Sequence, residues 1–266
     1  MSKIQYIQSM FNREGFVVFL PSVGAAGDLI QSETIDIYGE SSTQEFPLGT
    51  KLVNGERVWR YTKAGGTGLT LAAPVQTAAI QHAEAADDIV VGAASAIGST
   101  TITLTSTSNL AVAADYYKEG YIIVNDAAGE GQMRKVKTSP ALTGTATTEF
   151  TVYEPLTVAL TTSSQCGIKK NTYDAVIATT AVCTGPPLGV PQFGVTASYY
   201  FWLQSGGPAA VTAKSAVALG TDVVVGTTAA LVDPAAAATT EHTIGWPLTV
   251  GVADTESFMV FLTIDR

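Results

Sequence analysis

Residues 194–212 read GVTASYYFWLQSGGPAAVT, the densest aromatic run of the chain, followed by a Gly-Gly-Pro step and a second apolar segment. Side chains on a strand alternate with period two, so Tyr199, Phe201 and Leu203 point to one face and Tyr200, Trp202 and Gln204 to the other. A strand bulky on both faces is central to a sandwich or barrel, or is covered on its outer side by another segment or subunit. The step at Gly206-Gly207-Pro208 is expected to turn the chain before the strand resumes. The rest of the sequence is organised around this strand.

Downstream, strand-like runs occupy residues 216–219, 222–225, 244–252 and 257–264, with a Pro-Ala linker at 233–238. The last of them, SFMVFLTI, alternates well. Upstream, residues 51–53 and 56–61 flank Asn54-Gly55, which predicts a hairpin with a type I′ turn because both residues tolerate positive φ. The following KAGGTGL (63–69) lacks the residue order of a phosphate-binding loop and is read as a flexible turn. Residues 74–86 are Ala-rich enough for a helix, although Thr and Gln interrupt its apolar stripe. At the N-terminus, 1–9 is compatible with a short helical turn, and 11–20 (FNREGFVVFL) reads as a strand stopped by Pro21. Tyr6, Phe11, Phe16 and Phe19 need cover there, from the same chain or from a neighbouring subunit, and a subunit contact is the expectation.

Between residues 88 and 170 short strands recur at 89–91, 100–105, 121–125, 132–137 and 150–153, separated by loops such as DAAGEG (126–131). Ile102 and Leu104 alternate with Thr, the mark of a half-buried strand. The fold class is therefore all-β, with two barrel or sandwich units and an extended N-terminal arm. The expected division is an arm at 1–45, a hairpin and connector at 46–87 packing on the C-terminal unit, an inserted middle β-domain at 88–170, and a C-terminal β-barrel at 171–266.

The 266 residues are 46% hydrophobic and 8% aromatic, which excludes disorder as the main state. Charged residues make up 14%, against roughly 25% in an average globular chain, so the surface must be largely Thr, Ser, Ala and Gly. Such a surface suits a protein working against other protein surfaces, and equally a plain extracellular β-domain. A net charge of −9 and a pI near 4.6 argue against nucleic acid. The basic group Arg134, Lys135 and Lys137 reads as a solvated edge strand. Cys166 and Cys183 sit in no C-x-x-C or metal spacing, so free thiols are expected. No run of about eighteen apolar residues and no secretory pattern occurs, so no membrane or export is expected. N-x-S/T is also absent.

His82 and His242 are the only histidines, both in polar surroundings and without a G-x-S-x-G elbow, so no catalytic base is assigned. A glycosidase carboxylate pair is spatial and leaves no sequence signature. The 125–130 loop offers oxygen ligands but lacks EF-hand spacing and reads as an Asx-held turn, and Asp87-Asp88 is equally unspecific. No catalytic, metal or cofactor site is expected.

Three phrases carry a family resemblance: KLVNGERVWRYTKAGGT, YYKEGYIIVNDAAGEGQMRKVKT, and GVPQFGVTASYYFWLQSGGPAAVT followed by IGWPL. Together they resemble head decoration, or cement, proteins of tailed bacteriophages. The resemblance implies a β-rich, non-enzymatic virion protein on the capsid exterior, assembled as a homotrimer or other small oligomer. It implies the major capsid protein as partner, no cofactor, and a role in resisting internal genome pressure. Two rivals remain. One is a head fibre or receptor-binding protein whose middle unit binds host glycan through Tyr116, Tyr117 and Tyr121; the other is a carbohydrate-active enzyme with two carboxylates facing a cleft.

Overall fold

A computed structural model describes residues 9–11, 17–19, 35–78, 89–106, 111–181, 183–235, 242–251 and 255–265. All regular structure among them is β. The chain opens with β1 (Ser9–Phe11), β2 (Val17–Phe19), β3 (Glu40–Ser41), β4 (Lys51–Asn54), β5 (Arg57–Lys63) and β6 (Val75–Gln76). It continues with β7 (Ile89–Ala93), β8 (Thr101–Thr105), β9 (Tyr121–Asp126), β10 (Met133–Thr138), β11 (Thr147–Val152) and β12 (Gln165–Lys169). The last group is β13 (Ile177–Ala178), β14 (Pro187–Gly189), β15 (Tyr200–Thr212), β16 (Val223–Val225), β17 (Val232–Pro234), β18 (Thr243–Pro247) and β19 (Ser257–Thr263). The first and last groups form one compact unit, unit 1, and β7–β12 form a second, unit 2.

Unit 1 is built on β15, a 13-residue strand with β5 on one side and β19 on the other. Tyr200 and Trp202 pack with Phe46, Leu52, Trp59 and Tyr61, the Trp202 ring lying 5.3 Å from Phe46 and 5.1 Å from Tyr61. On the opposite face Phe201 and Leu203 meet Leu69, Val75, Val176 and Leu188. Both faces are thus covered by segments of the same chain, and each large side chain buried this way contributes about 1.5–3 kcal/mol by transfer from water. Farther along, Ala209 and Val211 enter a third cluster with Val223, Ile244 and Val260.

The Gly-Gly-Pro step does not turn the chain. It is a bulge within β15, where pairing to β5 shifts between Gln204 and Gly206. Gly207 has φ 77°, and a Cβ there would lie 2.3 Å from the Glu56 carbonyl oxygen. Glycine lets two backbones pass at that distance, so the pair serves close approach rather than reversal. The buried Gln204 side chain satisfies the bulge: Nε2 donates to the carbonyls of Gly206 (3.1 Å) and Pro208 (2.7 Å), and Oε1 accepts from Arg57 Nη2 (3.1 Å).

The hairpin forms as β4–β5, but Asn54 is itself paired, with Arg57. Only Gly55 has positive φ (58°), the pattern of a type II′ turn. Val75 and Gln76, expected within a helix, are instead the buried middle strand between β13 and β14. Pairing on both sides overrides the local alanine propensity; residues 79–88 of that stretch lie outside the described residues. In the N-terminal segment the single strand expected over 11–20 is two strands: β1 pairs with β2, and β2 with β4, extending the unit 1 sheet.

Unit 2 is a closed barrel in the order β10-β11-β8-β7-β12-β9. Alternation fills its interior with Ile102, Leu104, Ile122, Val124, Val136 and Phe150, all at most 2% exposed. β12 supplies Cys166 and Ile168 to that core. It is absent from the strands read in the sequence because Gly167 interrupts its pattern. β10 pairs with both β9 and β11, so Arg134, Lys135 and Lys137 lie on an interior strand of a closed barrel and not on an edge.

Candidate binding surfaces

The outer face of β15, β19 and β18 in unit 1 is apolar. Trp246 pairs with Phe261, Phe261 with Pro208, and Met259 with Ala210, so these side chains form adjoining cross-strand rows. Trp246 and Met259 are each 47% exposed, and Leu248, whose N–H donates to the Met259 carbonyl, is 44% exposed. A shallow groove of about 380 Å³ adjoins the rows, lined by Pro208, Ala210, Thr249, Ser257 and Met259. Gln192 ties its rim to β15 by accepting the Ala210 N–H at 3.1 Å. No strand position on this outer face carries a charge. An exposed apolar area rimmed by polar residues marks an interaction surface.

A second concavity of unit 1, about 210 Å³, has an aromatic floor of Phe46, Tyr61 and Trp202 and carries Asp36, Glu40 and Glu45 on its walls. Two of these carboxylates shape the chain locally. Asp36 Oδ1 accepts the Tyr38 N–H (2.9 Å), and Glu40 accepts both the N–H (2.7 Å) and the hydroxyl (2.6 Å) of Thr196. Tyr61 Oη accepts the Glu45 N–H at 3.0 Å. Burial, reinforced by the Glu45 charge, pushes the Tyr61 phenol well above its ordinary value, so it stays protonated. This carboxylate grouping comes from residues 36–45, where no spacing announces it.

In unit 2 the three tyrosines do not share one exposed platform. Tyr117 is buried in the barrel core, and Tyr116 packs edge-on against it at 4.9 Å with the Lys170 ammonium 4.2 Å above its ring. Tyr121 is 39% exposed. In the barrel wall it stands between Lys135 of β10 and Lys169 of β12. Lys135 is only 6% exposed. Burial lowers its pKa against the opposing pull of Glu119 and Glu154, and its N–H donates to Glu154 Oε2 at 2.9 Å. Arg134 is held by the Pro155 carbonyl and the Thr157 hydroxyl.

Of the four aromatic residues expected to touch a neighbouring subunit, Tyr6 and Phe16 lie outside the described residues. Phe11 stands opposite Val17 at the end of β1, and Phe19 opposite both Ser9 and Lys51. His82 and Asp87-Asp88 also lie outside the described residues; His242 is exposed ahead of β18. Cys166 and Cys183 are free thiols in different units, and burial pushes the Cys166 thiol up to about 12. The Asp126 loop closes by a bond from the Ala127 N–H to Asp126 Oδ1 (2.7 Å). Among the described residues no three His, Cys, Asp or Glu side chains converge as metal ligands. Compared with protein families, curated proteins and solved structures, the chain matches none.

Proposed function

We propose that this chain is a structural virion protein that binds the outer surface of a tailed-phage capsid and stabilises the shell, with the major capsid protein as partner and copies of itself in a homotrimer. The observation that carries the reading is the charge-free apolar face of β15, β19 and β18. The family resemblance of the hairpin, middle-unit and central-strand phrases supports it. A net charge of −9 opposes close approach to another acidic surface, and a neutral face presenting Trp246, Met259 and Phe261 avoids that cost. Binding would rest on several modest contacts repeated over the lattice. A ligand that binds only the intact shell raises the shell's apparent stability by linkage.

The test compares heat-induced genome release from particles carrying no added protein, the natural chain, or the double variant Trp246→Glu/Met259→Glu. Both substituted side chains are half exposed, so the variant is expected to fold, which circular dichroism verifies. Release is expected at a higher temperature with the natural chain and at the bare-particle temperature with the variant. Equal release in all three arms overturns the reading. The aromatic cleft with Asp36, Glu40 and Glu45 favours a second reading, a carbohydrate-active enzyme. Hydrolysis of a glycan by the purified chain, abolished by Glu45→Gln, would replace the first reading with it.

A further inference from the structure

Charge in unit 2 is sorted along β9. The strand begins at Tyr121 among cations: Lys135 and Lys169 are its cross-strand partners, Lys170 follows Lys169, Lys137 follows on β10, and Lys118 sits in the turn leading into β9. The strand ends at Asp126, in the turn that also holds Glu130. At the cationic end Glu119 is buried and Glu154 half-buried, and both face the buried Lys135. Exposed acidic residues at this end include Asp115, three residues before Lys118, and Glu149 of β11, the neighbour of β10; they are set against the surface lysines Lys118, Lys137 and Lys169, while the Lys170 ammonium lies over the Tyr116 ring. The same face continues as apolar surface, with Ile123 43% and its partner Met133 56% exposed.

We propose that this end of the unit 2 barrel binds an acidic polysaccharide. Three features favour that class. The exposed Tyr121 ring offers a flat apolar surface to the C–H face of a pyranose. Lysines on flexible stems act as adjustable point charges, suited to carboxylates whose positions vary along a sugar chain. The cations are few and lie within a protein of net charge −9, which matches a single chain carrying one carboxylate per sugar. Duplex DNA, with about one phosphate charge per 1.7 Å of axis, requires a longer and denser cation track. The site lies in unit 2 and does not rest on the capsid reading, which uses a face of unit 1.

Calorimetric titration of the full chain with polygalacturonate, at low and at physiological salt, tests the site. Binding is expected at low salt, weakening as salt rises, with none to neutral dextran. Lys137→Glu/Lys169→Glu, both exposed positions, should reduce affinity by about tenfold or more through loss of two charge-assisted contacts. Tyr121→Ala should weaken binding while leaving its salt dependence intact. Trp246→Glu/Met259→Glu should bind the polymer as the natural chain does, which separates this site from the capsid face. The proposal is overturned by absence of binding at low salt, by equal binding to dextran, by unchanged affinity in the lysine variant, or by tighter binding of duplex DNA than of polygalacturonate.

Discussion

Gly207 shows how one residue sets the path of the central strand. Its φ of 77° and the 2.3 Å separation of a would-be Cβ from the Glu56 carbonyl leave no room for a side chain. Gly207→Ala should therefore lower stability by about 1–3 kcal/mol, read as a lower urea midpoint; an unchanged midpoint would show that the bulge relaxes freely. Asp265 works by charge. Burial alone would raise its carboxyl, but the hydrogen bond and charge of Arg60, joined by Lys51 at 3.5 Å, hold it below the usual carboxylate range. Because the folded value lies below the unfolded one, the gain is present above about pH 4 and is lost as pH falls through the lower folded value. Wild-type protein should thus lose stability more steeply than Asp265→Asn as the pH falls below about 4, and parallel curves would remove the assignment. Neither feature was legible in the sequence. Gly-Gly-Pro is equally a turn signal, and Asp265 lies more than 200 positions from Lys51 and Arg60, its partners.

At the scale of elements, legibility followed the strength of the local pattern. β15 could be read because bulky side chains on both faces admit few environments, and β8 and β19 because strict alternation accompanies their β-branched and aromatic residues. β6 was hidden because two residues carry no period, and its strand character comes from pairing with β13 and β14 over 100 positions away. β12 was hidden for a related reason: Gly167 breaks the short alternation of QCGIK, and the barrel needs it as the strip joining β7 to β9. The basic β10 misled through composition, since lysines that resemble edge protection are carried on a strand paired on both sides. The surfaces were less legible than the strands. The row Trp246, Phe261, Pro208 joins three strands, and the Tyr121 row joins three others, so each exists only once register is set.

At the scale of the molecule the two units keep separate cores: the residues around Phe150 all belong to unit 2, and the three clusters around β15 all belong to unit 1. The three tryptophans, Trp59, Trp202 and Trp246, also lie in unit 1. Phe150→Ala should cost the barrel about 3–5 kcal/mol. Thermal unfolding followed by far-ultraviolet circular dichroism should then begin earlier, while tryptophan fluorescence keeps its original midpoint; a shared shift would mean that the units unfold as one. Chain order has a further consequence during synthesis. The barrel strands of unit 2, β7 to β12, come from one continuous stretch and are all present once residue 169 has left the ribosome. The inner neighbours of β15 are β5, residues 57–63, and β19, residues 257–263. The sheet of unit 1 must therefore wait for almost the whole chain, with the aromatic residues of β5 made early and left uncovered in the interval. The barrel translated between them can finish folding while that first half is still waiting, which makes the nascent hairpin the natural client of a chaperone.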